Sequence, residues 1–132
     1  MGKANNVIVI PTSLEKGFFK YWFEFLRPFH KLSDKEIEVM ACLVKHRYLL
    51  SKSIINNELL DQIAMNDDTK RKVREECGLQ QTYFQMLMSR LRKKNMIIKG
   101  MINPKFIPRI EEGSDSFQLL LSFNLNGQKD NK

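Results

Sequence analysis

The stretch CGLQQTYFQMLMSRLRKKNMIIKG, residues 77–100, reads as a turn, a helix and the start of a strand. Cys77-Gly78-Leu79 is the turn: glycine takes the left-handed conformation that ends a helix without a steric penalty, and Leu79 is an apolar plug between two helices. A helix over about 80–94 follows. On a wheel with 100° per residue, Phe84, Leu87, Met88 and Leu91 share one side, with Tyr83 on its flank. Gln81, Thr82, Gln85, Ser89, Arg92 and Lys93 share the other. An apolar face buries itself against the rest of the chain. The polar face carries the side chains whose paired hydrogen-bonding groups match the edges of adenine and guanine, and a DNA major groove admits one helix. The bland alternative, a solvated surface face, explains the wheel equally well and must be weighed against the neighbouring elements.

Upstream lie further helical patterns. Leu32-Ser33-Asp34-Lys35-Glu36-Ile37 combines a capping box, Ser33 with Glu36, and a hydrophobic staple, Leu32 with Ile37. It starts a helix to about Tyr48 with the stripe Ile37, Met40, Ala41, Leu43 and Val44. A helix over about 53–65 is expected to bury Ile55, Leu59, Leu60 and Ile63. Asn66-Asp67-Asp68 caps a helix from Thr69 to Glu76 whose exposed side carries Lys70, Arg71, Lys72 and Arg74. At the N-terminal end, Val7 to Ile10 reads as a short strand or extended arm. Thr12 and Glu15 form a second capping-box pattern for a helix over about 13–27, which Pro28 is expected to end. Downstream, Met96-Ile97-Ile98 reads as a strand and Phe117 to Phe123 as its antiparallel partner, joined by a polar, proline-bearing loop. The residues after Asn124 form a polar tail expected to fray.

A chain of 132 residues with 42% hydrophobic and 28% charged residues suits one globular domain rather than a disordered segment. Its net charge of +7 favours an acidic partner. The excess is local. Residues 1–66 hold nine Lys/Arg and seven Asp/Glu, residues 67–105 hold ten and four, and residues 106–132 hold three and four. Two cysteines, Cys42 and Cys77, make no disulfide framework and fit a reducing, cytoplasmic setting. Val7-Ile8-Val9-Ile10-Pro11 is too short for the apolar core of a signal peptide. No apolar run approaches the roughly 20 residues of a membrane span. Met1-Gly2 starts like a myristoylation signal, but position 6 is Asn where Ser or Thr is expected.

The order of basic helix, glycine turn, polar-faced helix and hairpin resembles the winged helix-turn-helix domains of bacteria and their phages. The tract Leu91-Arg92-Lys93-Lys94-Asn95-Met96-Ile97 is similar to the leucine, basic pair, turn residue and aliphatic strand that close the recognition helix in MarR-like regulators and phage replication-initiator domains. The chain departs from that pattern in the long lead-in to the helix at 53–65 and in the acidic far end of the loop, Glu111, Glu112 and Asp115. The resemblance implies a mainly α fold with a small β-hairpin (α+β): a winged helix-turn-helix over 32–124, an extra aromatic helix within 1–31, and a tail at 125–132. It also implies binding of double-stranded DNA, in transcription regulation or replication initiation. Base contacts are then expected from Gln81, Thr82, Gln85 and Ser89, and phosphate contacts from Lys70, Arg71, Lys72, Arg74, Arg92, Lys93, Lys99 and Lys105. A rival expectation is a structural component of a phage virion, such as a ring or connector, which reuses such a fold and places the chain in a particle rather than free in the cytoplasm.

Seven of the thirteen aromatic residues lie within residues 18–29. This density suggests either a helix packed across the core or an oligomer interface through Phe18, Trp22 and Phe25, since aromatics are enriched in such surfaces. Catalysis finds little footing. His30 and His46 stand apart in the sequence, and no glycine-rich phosphate loop, zinc-spaced Cys/His cluster or His–carboxylate pairing is legible. Asp61, Asp67 and Asp68 lack the spacing of a calcium loop. The expectation is therefore no enzyme, no cofactor and no metal.

Overall fold

The computed structural model describes residues 6–15 and 17–126. The Met1-Gly2 pattern and the polar tail from residue 127 lie outside them. Five helices precede a two-stranded antiparallel sheet: α1 (Phe18–His30), α2 (Asp34–Ser51), α3 (Asn57–Ala64), α4 (Asp67–Glu76), α5 (Gln81–Lys93), β1 (Ile97–Ile98) and β2 (Met101–Ile102), followed by a 3-10 turn at Pro104–Phe106. The fold is mainly helical with a small hairpin, an α+β architecture. No described helix is long and apolar enough to cross a membrane.

The long helix α2 is the axis of the core and packs against α1, α3, α4 and α5. Its start matches the sequence. The Ser33 hydroxyl accepts from the Glu36 amide, the Glu36 carboxylate accepts from the Ser33 amide, and Leu32 and Ile37 are both buried. Ile37, Val39, Met40, Leu43 and Val44 fill the centre, joined by Phe19 and Phe23 from α1, Val73 from α4 and Phe84, Leu87, Met88 and Leu91 from α5.

Four boundaries or pairings differ from expectation. Thr12 and Glu15 do not cap α1; a turn with hydrogen bonds to the Ser13 carbonyl precedes it, and Gly17 is the N-cap. Nor does Pro28 end α1. It lies one turn from the C-terminus, where its missing donor removes a single helical bond, and the helix closes at Lys31 in the left-handed conformation. Arg27 braces this end, pairing with Glu24 and Asp34 and donating to the Leu32 carbonyl. The third helix starts later than its apolar residues suggest, because the Asn56 side chain caps it by accepting from the Leu59 amide at 2.9 Å. Ile55 is left 94% exposed and Leu59 is exposed too, while Leu60 and Ala64 turn inward.

The largest difference is in the sheet. The partner of Ile97–Ile98 is Met101–Ile102, with Ile97 opposite Ile102 and Ile98 opposite Met101. Residues 117–123 form no strand. Lys99 and Gly100 both have positive φ, 55° and 77°, the backbone sign of a type I′ turn. Such a turn closes a hairpin locally, at a far smaller loop entropy than a partner some 20 residues away. Two residues per strand are too few for alternation to register in sequence. Phe117 instead sets its ring edge-on to Phe18 and Trp22, with centroids 5.1 and 5.7 Å away. Val7–Ile10 is an exposed extended segment, not a strand.

Candidate nucleic-acid interface

Helix α4 begins at Asn66, whose side chain accepts from the Thr69 amide at 2.8 Å, while the Thr69 hydroxyl donates to the Ile63 carbonyl and ties α4 to the end of α3. It ends in a Schellman arrangement: the Gly78 amide reaches the Glu75 carbonyl and the Leu79 amide reaches Arg74, both at 3.0 Å, with Gly78 at φ 65°. Leu79 is buried as expected. The Arg74 guanidinium donates to the Leu79 carbonyl at 3.2 Å, so this half-buried cation holds the turn. The other three basic residues of α4 are matched within the helix. Lys70 lies 3.9 Å from Asp67, Arg71 pairs with Asp68 and Glu75, and Lys72 lies 3.3 Å from Asp68. The Asp68 carboxyl is held below its usual range by hydrogen bonds from Arg71 and Lys72. With four basic and four acidic residues, α4 has no net charge.

The positive charge resides beyond the turn. From Cys77 to Ile110 the chain has seven Lys/Arg and no Asp or Glu, so this stretch carries as much net charge as the whole protein. No ion pair among the described residues involves Arg90, Arg92, Lys93, Lys99 or Lys105. The faces of α5 divide as the wheel indicates: Phe84, Leu87, Met88 and Leu91 are buried, while Gln81, Thr82, Gln85, Arg92 and Lys93 are exposed and Ser89 is half-buried. No side chain caps the N-terminus of α5, and its first turn holds no acid. Its leading amides and the positive end of the helix dipole therefore face outward beside Gln81 and Thr82. Lys99 stands at the hairpin tip. Lys105 falls in the 3-10 turn beyond the hairpin, over the Phe106 ring.

Lys94, which sequence reading leaves among its basic neighbours, plays a different part. Its ammonium donates to the Glu36 carboxylate and the Lys31 carbonyl, each at 2.6 Å. This joins the C-cap of α5 to the N-terminus of α2 and the end of α1. Glu36 is 1% exposed. Burial pushes its carboxyl up, but the hydrogen bonds from Lys94 and Ser33 outweigh that and hold it below the usual carboxylate range.

The aromatics of α1 separate by depth. Phe19 and Phe23 are core residues. Trp22 donates its indole N–H to the Phe106 carbonyl at 2.8 Å, and both it and Phe18 meet Phe117. Phe25 contacts Phe29, which is 59% exposed. His30 lies edge-on to Phe106 at 4.6 Å; burial, with Lys105 nearby, lowers its pKa.

One reading of the sequence is corrected. His46 is not isolated, and a His–carboxylate pair exists: His46 Nε2 lies 2.6 Å from Glu76 Oε1, and the Cys42 thiol donates to Glu76 Oε2 at 3.3 Å. Partial burial pushes the Glu76 carboxyl up, but these two hydrogen bonds draw it below the usual range. The neighbouring Cys77 thiol instead donates to the Glu38 carbonyl at 3.8 Å, outside this pair of contacts. The contacts span 30 and 34 residues of sequence, so spacing alone did not disclose them. The one local signal was Cys42 and His46 four apart on a helix, which puts them on one face.

No protein-family model, curated protein or solved structure matches this chain.

Proposed function

We propose that the protein binds double-stranded DNA in the manner of a winged helix-turn-helix, with α5 in the major groove and the hairpin beside it, in transcription regulation or replication initiation. The observation that carries this reading is the positive charge of residues 77–110, unpaired except at Lys94, on the elements that also present Gln81, Thr82 and Gln85. Helices in this arrangement enter the groove N-terminus first, so Gln81, Thr82, Gln85 and Ser89 meet bases. Arg92, Lys93, Lys99 and Lys105 meet phosphate, with Lys70, Arg71 and Lys72 behind them. The ion pairs within α4 make its share of the phosphate contacts the smaller one.

The test is a duplex titration over a range of salt. Log affinity should fall on log salt with a slope of about −0.9 per phosphate neutralised. Replacing Arg92 and Lys93 by alanine should flatten that slope by nearly 2, about one contact each, and weaken all sequences alike. Replacing Arg71 and Lys72 should do less, because both are already paired with acids. Gln85→Ala should cost about 1–3 kcal/mol on the preferred site and relax preference at one position. A slope unchanged by the Arg92/Lys93 double substitution sinks the reading.

A second reading, a component of a virion or other assembly, draws on different residues. Val7 to Ile10 and Leu119 to Leu121, with Phe123 and Leu125, are exposed apolar side chains on segments without secondary structure, as suits arms that dock on other subunits. High-order particles without affinity for DNA would favour it.

A further inference from the structure

The Cys42 thiol, the His46 imidazole and the Glu76 carboxylate each offer a donor atom, and the three atoms lie within 4.8 Å of one another. Two neighbouring turns of α2 supply the first pair, and the last residue of α4 supplies the third. Cys77, the C-cap of α4, follows directly, but its thiol donates to the Glu38 carbonyl at 3.8 Å. Tetrahedral zinc, with bonds of about 2.3 Å to sulfur and 2.0–2.2 Å to nitrogen and oxygen, sets its donors about 3.4–3.8 Å apart. The Cys42 Sγ to Glu76 Oε2 distance of 3.3 Å is already close to that. The His46–Glu76 pair, at 2.6 Å, must open by about an ångström, and Glu76 sits at a helix end with its side chain half exposed. A groove of about 270 Å³, lined in part by Cys42, Glu76 and Cys77, gives access from solvent.

We propose that Cys42, His46 and Glu76 form a binding site for a zinc ion. A sulfur and an imidazole among three donors select a borderline cation such as Zn²⁺ over Mg²⁺ or Ca²⁺, which take oxygen ligands. On binding, the Cys42 thiol releases its proton to solvent and becomes a thiolate ligand. One thiolate and one carboxylate give the donors a charge of −2, which matches the +2 of the ion. With three protein ligands, the fourth tetrahedral position is left to a water molecule. The site pins the C-terminal end of α4 to α2 immediately ahead of the Gly78 turn.

The experiment is a Co²⁺ titration of the reduced full chain, followed by Zn²⁺ competition against a chromophoric chelator. One Co²⁺ per chain is expected, with thiolate-to-metal charge transfer and the intense visible bands of tetrahedral ligation, displaced by Zn²⁺. Cys42→Ser should weaken Zn²⁺ binding by roughly 100-fold or more, beyond the 10–100-fold that loss of a supporting residue costs. Glu76→Gln, at a half-exposed side chain, should weaken it by at least about tenfold and serves if the serine variant does not fold. Pale octahedral spectra, or binding that survives both substitutions, overturn the proposal. So does the absence of saturable binding by the reduced protein. If oxidation then removes two hydrogens from its mass, Cys42 and Cys77 belong to a disulfide instead.

Discussion

Removing the Lys94 ammonium leaves the Glu36 carboxylate buried with the Ser33 amide as its remaining charge-compensating partner. Uncompensated buried charge is among the costlier defects in a protein. Lys94 is 30% exposed, so water relieves part of it, and Lys94→Ala should cost about 2–3 kcal/mol in chemical denaturation. The pH dependence follows from the direction of the Glu36 shift. Its folded pKa lies below its unfolded one, so the stabilisation is complete above the unfolded value and is lost as pH falls, from roughly 4.3 downward, through the folded value. Melting temperature should therefore decline less steeply in Glu36→Gln than in wild type across that window; parallel profiles refute the assignment. Sequence did not reveal this: in Arg92-Lys93-Lys94 three cations look alike, and only helix packing decides which one turns inward.

At the level of elements, what was legible had local causes. The capping box of α2, the glycine turn after α4 and the two faces of α5 all rest on residues within one or two turns of each other, and all appear as read. The start of α1, the partner of β1 and the Cys42–His46–Glu76 cluster did not: a nearby turn displaced the expected arrangement in the first two, and the third joins residues 30 and 34 apart. In the case of β1 it was the turn at Lys99 and Gly100. That turn makes a prediction of its own. Gly100 sits at φ 77°, where a side chain is strained even though a Cβ would meet no atom within 4 Å. Gly100→Ala should cost about 1 kcal/mol or more, through backbone strain alone, with β1 and β2 still paired. A fully neutral effect in thermal unfolding contradicts the left-handed assignment.

Across the whole molecule, the aromatic-rich and the most basic stretches are separate. Seven Lys/Arg and no acid lie between Cys77 and Ile110, whereas seven of the thirteen aromatics lie within residues 18–29, with Tyr21 and Phe29 exposed on α1. If α1 carries the self-association proposed for Phe18, Trp22 and Phe25, Phe25→Asp should give a folded monomer by sedimentation, because Phe25 is half-buried and its ring contact is with Phe29. Trp22 substitutions should destabilise the monomer itself, since its indole serves the Phe106 carbonyl. A wild type that sediments as a monomer over the micromolar to millimolar range rejects the interface. The Lys94 junction also bears on the order of events in folding. It bridges partners 58 and 63 residues apart, so we expect it to close after α2 and α5 have come together, late in folding. Lys94→Ala should then leave the refolding arm of a chevron nearly unmoved and place its whole effect on the unfolding rate. On that expectation the lysine is a latch: it lengthens the lifetime of the folded chain without hastening its assembly.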